Sequence, residues 1–344
     1  MKKFLITGGS GFIGSHTCYL LLKKGYELVV VDSHINSSPD SLKNVRDILS
    51  NQFTDGSIRL NLKEGDIRDF EFLFNVFKEE NNIKTIDGVI HFAGQKSVLK
   101  SFENPLSYWE SNVSGSINLF KVMDYFGCRT IVFSSSATVY SPSEEGFFNE
   151  HDIVKPVNPY GNTKACIEKI LCDLFHSDNK KWRIANLRYF NPAGSFDSFN
   201  FIGNNFSLDN LFPFINLVAS GRENYLNIFG NDWDTPDGTC IRDYIHIMDL
   251  SQAHLATIEM LFEKNPQYIN LNIGTGVGVS VLDVVKTFSK VNNVKIPYKF
   301  VKRRSGDVKK LVADNKKAIQ ILNWFPHKSL IDICKDSWKC YLSN

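Results

Sequence analysis

From Phe4 to Asn191, short apolar runs alternate with segments of helical period, and that rhythm leaves few folds open. The runs are Phe4–Thr7, "ELVVVD", "IRLNLKEGDI", "IDGVIHFAG", "TIVFSSS" and "RIANLRYFN". Between them lie helical stretches from Phe12 to about Lys24, "SLKNVRDIL", "DFEFLFNVFKEE", a long one over Pro105–Phe126 and another over Pro159–Phe175. Strands that read as nearly continuous Val, Ile, Leu and Phe are buried on both faces, as in a parallel sheet wrapped by helices. The chain therefore reads as α/β, a doubly wound parallel sheet. After Asn191 the pattern loosens into Phe-, Asn- and Gly-rich loops, with a strand and helix in "YINLNIGTGVGVSVLDVVKTF" and a strand in "IPYKFVKRRSGD". The expected division is a dinucleotide-binding domain over residues 1–190 and a smaller substrate lobe over 191–344, some late elements returning to the first domain.

Composition excludes several classes. With 344 residues and 43% hydrophobic side chains the chain buries a full core, and 39 basic against 37 acidic residues leave a net charge of +2. No global field draws nucleic acid or anionic lipid, so any anion site is local. Seven scattered cysteines without a C-x-x-C pair argue for a reducing compartment and against a disulfide framework or a zinc knuckle. The apolar run of "MKKFLITGG" is too short for a signal peptide, and no later run spans a bilayer. A cytoplasmic protein with no membrane or nucleic-acid partner and no metal is expected.

The stretch "TGGSGFIGS" carries two overlapping glycine triplets between a strand and a helix. Gly9, Gly11 and Gly14 fit the G-x-G-x-x-G fingerprint, and Gly8, Gly11 and Gly14 are spaced three and three. Such a turn lets backbone approach a pyrophosphate, while the helix N-terminus offers unpaired N–H donors. An ordinary glycine-rich turn is the bland alternative, but "VVVD" ends the next strand at Asp32, eighteen residues beyond Gly14. A carboxylate there accepts from ribose hydroxyls and repels a 2′-phosphate, which favours NAD over NADP in a Rossmann-type sheet. "EGDIRD" places Asp66 and Ile67 where adenine would lie, and "HFAGQK" sets Ala93 and Gly94 beside the pyrophosphate with Lys96 nearby.

"NPYGNTK" puts Tyr160 and Lys164 four apart, on one face of a helix, after a strand ending at Ser136. A tyrosine packed on a lysine stem is the common explanation of such a pair. Beside a dinucleotide turn it reads differently. To act as a base near neutrality a phenol must fall from a pKa of about 10 toward 7, about 4 kcal/mol, which the Lys164 ammonium and an oxidised nicotinamide can share. Ser136 would hydrogen-bond the same substrate hydroxyl. His91 and His246 lie in apolar runs and read as satisfied core residues rather than ligands.

"TGGSGFIGSH", "GDIRD", "IHFAG", "FSSSATVY", "YGNTK", "RYFNPAG", "GNDWDTPDGTCIRDYIHIMDL" and "RRSGD" occur in order over nearly the whole chain. In them the sequence resembles the UDP-glucose 4-epimerases of the extended short-chain dehydrogenase/reductase family, whose turn follows the spacing of Gly8, Gly11 and Gly14. The resemblance implies Tyr160 as base, Lys164 as its pKa-lowering partner and ribose ligand, and Ser136 as proton relay. It implies NAD contacts at Phe12, Ile13, Asp32, Asn36, Ser37, Asp66, Ile67, Phe92, Ala93, Gly94, Lys96, Asn112 and Phe190. Substrate contacts are implied at Asn191, Asn210, Leu211, Asn227, Phe229, Arg242, Arg304 and Asp307. Paired arginines suit a diphosphate, although Arg242 could instead bridge to Asp243.

The reaction implied interconverts UDP-glucose and UDP-galactose through a 4-keto sugar, with NAD retained through each turnover. Many relatives have a tyrosine four residues after the "GD" aspartate, and here Leu311 opens the expectation that 2-N-acetyl sugars are accepted. A dehydratase, which needs an acid–base pair beside the serine, is disfavoured by Ala137 and Thr138. A catalytically silent NAD-binding scaffold is disfavoured by the intact Ser136, Tyr160 and Lys164. The helices over Pro105–Phe126 and Pro159–Phe175 are expected to face a second subunit, as in homodimers of the family, unless they pack on the sheet.

Overall fold

A computed structural model describes residues 1–52, 58–196, 210–304 and 306–343. The Phe- and Asn-rich stretch 197–209 and Ser305 of "RRSGD" lie outside them. The first part runs β1 (Lys3–Thr7), α1 (Phe12–Lys23), β2 (Glu27–Asp32), α2 (Asp40–Ser50), β3 (Leu60–Glu64), α3 (Phe70–Ile83) and β4 (Gly88–His91). Then come α4 (Val98–Glu103), α5 (Pro105–Tyr108), a π-helical turn at Trp109–Ser114, α6 (Gly115–Tyr125), β5 (Thr130–Ser136), β6 (Phe147–Phe148), α7 (Pro159–Ser177) and β7 (Arg183–Tyr189). The rest of the chain forms β8 (Asn191–Ala193), α8 (Leu211–Ala219), β9 (Leu226–Phe229), β10 (Ile241–His246), α9 (Ile247–Glu263), β11 (Gln267–Ile273), β12 (Gly278–Ser280), α10 (Val281–Asn292), β13 (Tyr298–Val301), β14 (Lys310–Ala313), α11 (Lys316–Leu322) and α12 (Leu330–Leu342).

Seven strands form one parallel sheet in the order β11-β7-β5-β4-β1-β2-β3. Successive strand residues face opposite sides, and both sides are apolar: Phe4, Ile6, Leu28 and Val30 join one core, Leu5, Val29, Val31 and Val89 the other. Each fully buried aliphatic side chain contributes roughly 1.5–3 kcal/mol. A charge at Val29 or Val30 would therefore break the packing on either side of β2, between β1 and β3. Because all strands run the same way, the loops after β1, β2, β3, β4, β5 and β7 leave at one edge. The order reverses between β1 and β4, where such sheets open a crevice for a ligand.

The chain after Asn191 is more regular than its composition suggests. The seventeen residues of α9 read poorly as a helix because most of them, from Ile247 to Leu261, are buried. A helix covered nearly all round shows no clear polar face. It packs on α1. Strand β8 starts one residue after β7 and pairs with β10, which carries β12 and β14, and β14 pairs with β6; β9 and β13 form a separate pair. The second assembly thus hangs directly from the end of β7. Among the described residues no helix is long and apolar enough to cross a membrane. All seven cysteines are free thiols.

Candidate active site

The turn between β1 and α1 shows what each glycine is for. Gly8 adopts φ +70°, and a Cβ there would sit 2.7 Å from the Ala93 backbone nitrogen. On Gly14 a Cβ would lie 2.7 Å from Gly9 Cα. Gly9, incidental to the fingerprint, is closed by packing, its Cβ 2.6 Å from Val30 Cγ1. Gly11 differs: the nearest atom to a Cβ is Gly8 O at 3.3 Å, which a shift of a few tenths of an ångström would relieve. Packing within the chain alone therefore does not demand glycine there. Gly11 also caps α1 without a side chain, leaving N–H donors of the first turn, at Phe12 and Ile13, for an anion. The cradle fits a dinucleotide pyrophosphate.

Asp32 ends β2 with its carboxylate already held. Oδ2 accepts from Ser10 N at 2.9 Å, and Oδ1 accepts from His34 N at 3.0 Å and Ser37 Oγ at 2.8 Å. A carboxylate has about four acceptor sites, so capacity remains for a ribose hydroxyl. His34, at φ +54°, bends the loop that brings Ser37 back; sequence reading missed it, since histidine carries no turn signal as strong as glycine's. Arg68 grips Asp66 from Nε and Nη2 and holds its carboxyl below the usual range. Gly8, Asp32, Asn36, Asp66, Ile67, Ala93 and Gly94 line one cleft over the ends of β1 to β4.

Two of the expected cofactor contacts, Phe92 and Asn112, also pack within the chain. Phe92 packs its ring on His254, with centroids 4.9 Å apart. Asn112, in the π-helical turn, is fully buried: Oδ1 accepts from Gln95 N at 2.7 Å, and Nδ2 donates to Gln95 O at 3.1 Å and Thr163 Oγ1 at 3.0 Å. It clamps the turn in which Gly94 takes φ +153° and a Cβ would lie 2.9 Å from Asn112 Oδ1. The side chain is committed to the loop. Lys96 follows that loop toward α4, and Phe190 is buried between β7 and β8.

Asn158 sets the start of α7, its side chain accepting from Gly161 N at 2.7 Å with Pro159 in the first turn. Tyr160 and Lys164 follow one turn apart. Ser136, the last residue of β5, accepts from Thr138 N at 3.2 Å and Thr138 Oγ1 at 2.9 Å, and stands beside the Tyr160 phenol. Lys164 Nζ donates to Ser134 O at 2.8 Å, 5.9 Å from the Tyr160 ring centroid. In the chain by itself, without the nicotinamide charge, burial sets both groups. Burial pushes the Tyr160 phenol up to about 12 against the lowering effect of the neighbouring Ser136 hydroxyl, and pulls Lys164 down to about 7 against the Glu168 charge. Desolvation outweighs the charge of one lysine whose ammonium is turned to a backbone carbonyl.

On the opposite wall Asn191 lies in β8 and Asn227 in β9, each with a buried Oδ1 that has no hydrogen-bond partner among the described residues. Arg242 donates from Nη1 to Ile241 O at 2.9 Å and Val308 O at 2.8 Å, and pairs with Asp307 at 3.5 Å. Arg304 Nε donates to the other Asp307 oxygen at 3.2 Å, its guanidinium 4.6 Å from the Phe229 ring centroid. The alternative bridge from Arg242 to Asp243 is not formed. Neighbouring strand residues face opposite sides, and Asp243 accepts instead from Thr275, Gly276 and Ala313. Exposed Asn210 and half-buried Leu211 open α8. Leu311 lies opposite Arg242 and packs against the cluster of Ala137, Val139, Tyr140, Phe148, Phe190 and Ala313, which adjoins Ser136. His246 is a core residue paired with Asp336 at 3.1 Å.

A dinucleotide cradle and a Ser136–Tyr160–Lys164 set on one sheet edge define an extended short-chain dehydrogenase/reductase. The family profile described as GDP-mannose 4,6 dehydratase matches residues 5–337. The UDP-glucose 4-epimerase of Bacillus subtilis is 43% identical over 342 residues, 99% of this chain and 97% of its own. The crystal structure of UDP-glucose-4-epimerase from Stenotrophomonas maltophila, with bound NAD and formylated UDP-arabinopyranose, superposes with a TM-score of 0.92 at 37% identity, covering 100% and 98% of the two chains. That from Bifidobacterium longum, in complex with NAD+ and UDP, gives 0.91 at 38%, covering 100% and 99%. The chain belongs to the UDP-glucose 4-epimerase family.

Proposed function

We propose that this protein interconverts UDP-glucose and UDP-galactose at carbon 4 of the hexose, with NAD as retained cofactor. The observation that carries the reading is the placement of Ser136, at the end of β5, beside the Tyr160 phenol, one helical turn before Lys164, on the sheet edge that carries the phosphate cradle. NAD, when bound, accepts a hydride from carbon 4, returns it, and is positively charged while oxidised. Gly8, Gly11, Gly14 and the first turn of α1 would hold its pyrophosphate, and Asp32 a ribose. Tyr160 takes and returns the proton of the 4-hydroxyl; Ser136, already receiving two hydrogen bonds from Thr138, directs its own hydrogen toward Tyr160 or the sugar. Lys164 near 7 is poised to gain its charge when an acceptor arrives.

On the substrate side, Arg242 and Arg304 would exchange Asp307 for the diphosphate, since guanidinium–phosphate pairs are strong and directional. The unpartnered oxygens of Asn191 and Asn227 would accept from donors of the nucleotide or the sugar. Buried Ala137 and half-buried Thr138, whose hydroxyl is spent on Ser136, leave no acid–base pair for eliminating water, which separates this site from a dehydratase. Incubating the purified protein with UDP-galactose and no added cosubstrate tests the reading: UDP-glucose should form. Free NADH accumulating instead would mark a one-way dehydrogenase, and bound NAD without turnover a silent scaffold.

Two finer readings belong here. Leu311 against Ala137 and Phe190 makes the sugar wall shallow, so UDP-N-acetylgalactosamine should also be turned over, and Leu311→Tyr should abolish that activity while sparing UDP-galactose. Leu99, Phe102, Leu106 and Trp109 stand exposed on and beside α5, a surface suited to pairing two copies in the cytoplasm; a monomer in sedimentation would sink the homodimer.

A further inference from the structure

His91 reads in the sequence as an ordinary core histidine, yet its hydrogen bonds have a direction. The Ser116 hydroxyl has one proton, and it goes to the carbonyl of Asn112. Ser116 Oγ, 2.8 Å from His91 Nε2, must then accept, so the histidine carries its proton on Nε2. His91 Nδ1 is left as an acceptor, and Thr7 Oγ1 donates to it at 2.6 Å. Burial keeps the ring neutral, with its pKa lowered to about 3. Beyond Ser116 the chain continues: Asn112 Nδ2 donates to Thr163 Oγ1 at 3.0 Å, and Thr163 Oγ1 donates to the Tyr160 carbonyl at 2.7 Å. Thr7, His91, Ser116, Asn112 and Thr163 are all fully buried.

The ends of this chain matter. Thr7 is the last residue of β1, immediately before Gly8, and His91 is the last of β4, immediately before the Phe92–Gly94 loop. Those two strands flank the point where the sheet order reverses. The far end grips the first turn of α7 at Tyr160. A one-residue π-type widening, a frequent device at functional sites, sets Asn112 where it meets Gln95 on one side and Thr163 on the other.

We propose that His91 is a positioning residue, the middle link of a buried one-way chain Thr7–His91–Ser116–Asn112–Thr163 that registers the Tyr160 helix against the strand ends presenting the phosphate cradle. The proposal rests on Tyr160 being the base. Fully satisfied buried networks stiffen their surroundings, and a cut anywhere frees both ends. Among the described residues His91 makes no hydrogen bond to α7, so its effect there travels through the intervening links.

Three measurements on the NAD-loaded protein test it: nitrogen NMR of the histidines, amide hydrogen exchange, and kinetics with UDP-galactose. The wild-type His91 should show the neutral Nε2–H tautomer, and an Nδ1–H ring would overturn the assignment. His91→Phe, Ser116→Ala and Thr163→Val should each lower kcat about 10-fold with KM within about 2-fold, and speed exchange at residues 161–164 about 10-fold. Because one chain is cut only once, His91→Phe with Thr163→Val should be no worse than the poorer single variant. Additive losses, or a less stable His91→Phe with unaltered exchange in α7 and unaltered kcat, would reduce His91 to a packing residue. If His91→Phe does not fold, Ser116→Ala and Thr163→Val decide alone. A wild type that does not epimerise UDP-galactose would sink the functional reading, whereas tautomer and exchange would still judge this one.

Discussion

Around the cofactor cleft Asp32, Asp66, Asn112 and Ser136 each hold two or more hydrogen bonds within the chain, whereas across from them Asn191 and Asn227 bury oxygens with no partner. Arg242 and Arg304 share Asp307, which the proposed diphosphate would displace. The first region is finished before any ligand arrives, so its geometry is fixed. The second carries uncompensated desolvation, about 1–3 kcal/mol per buried acceptor, that a ligand recovers. A cofactor that stays and a substrate that comes and goes call for these two designs.

Four changes would break or sharpen that contrast. Tyr160→Phe should lower kcat about 1000-fold while NAD remains bound, because only the proton carrier is lost from a finished region. A loss under about 10-fold would place the base elsewhere. Arg304→Met should raise KM for UDP-galactose about 30-fold and leave both kcat and NAD retention near wild type, a split visible in steady-state kinetics. NAD loss on gel filtration would contradict the separation of the two regions.

Acid should act mainly on the finished side. Burial lowers His16 and His91 to about 3 and His254 to about 4, below the unfolded value near 6.5. Between those values the unfolded chain binds more protons, so stability is full above about 6.5 and falls as pH drops, by about 2 kcal/mol per histidine at pH 5. Thermal melts from pH 7 to pH 5 check this, and a flat Tm would refute it. The smallest effect is expected at Asn227→Leu: a gain of about 1 kcal/mol in the ligand-free protein, since an unpaired buried oxygen is removed, with KM raised about 5-fold. Destabilisation would mean that the amide is already satisfied.

What was legible in the sequence was local. The strand, glycine turn and helix at Phe4–Lys23, Asp32 at a strand end and the Tyr160–Lys164 spacing follow from residue types and period alone. The rest needed the third dimension. The pull of Ser134 O on Lys164 and the net effect of burial on Tyr160 depend on packing that no spacing encodes. Asn112 faces Gln95 and Thr163 because of a π-helical turn inside what reads as one long helix. Helix α9 has no clear polar face, and Asp243 reveals its side of β10 only through Thr275 and Ala313.

Strand β11 pairs along all of β7, yet the segment between Tyr189 and Gln267 separates them in the chain. On the ribosome, β7 must therefore emerge with one edge bare and wait while β8, β9, β10, α8 and α9 are made. An apolar strand with an open edge invites pairing with a neighbouring nascent chain, so the order of synthesis itself is a hazard for this fold. Any chain terminated before Ile273 would leave the ribosome with that edge uncovered.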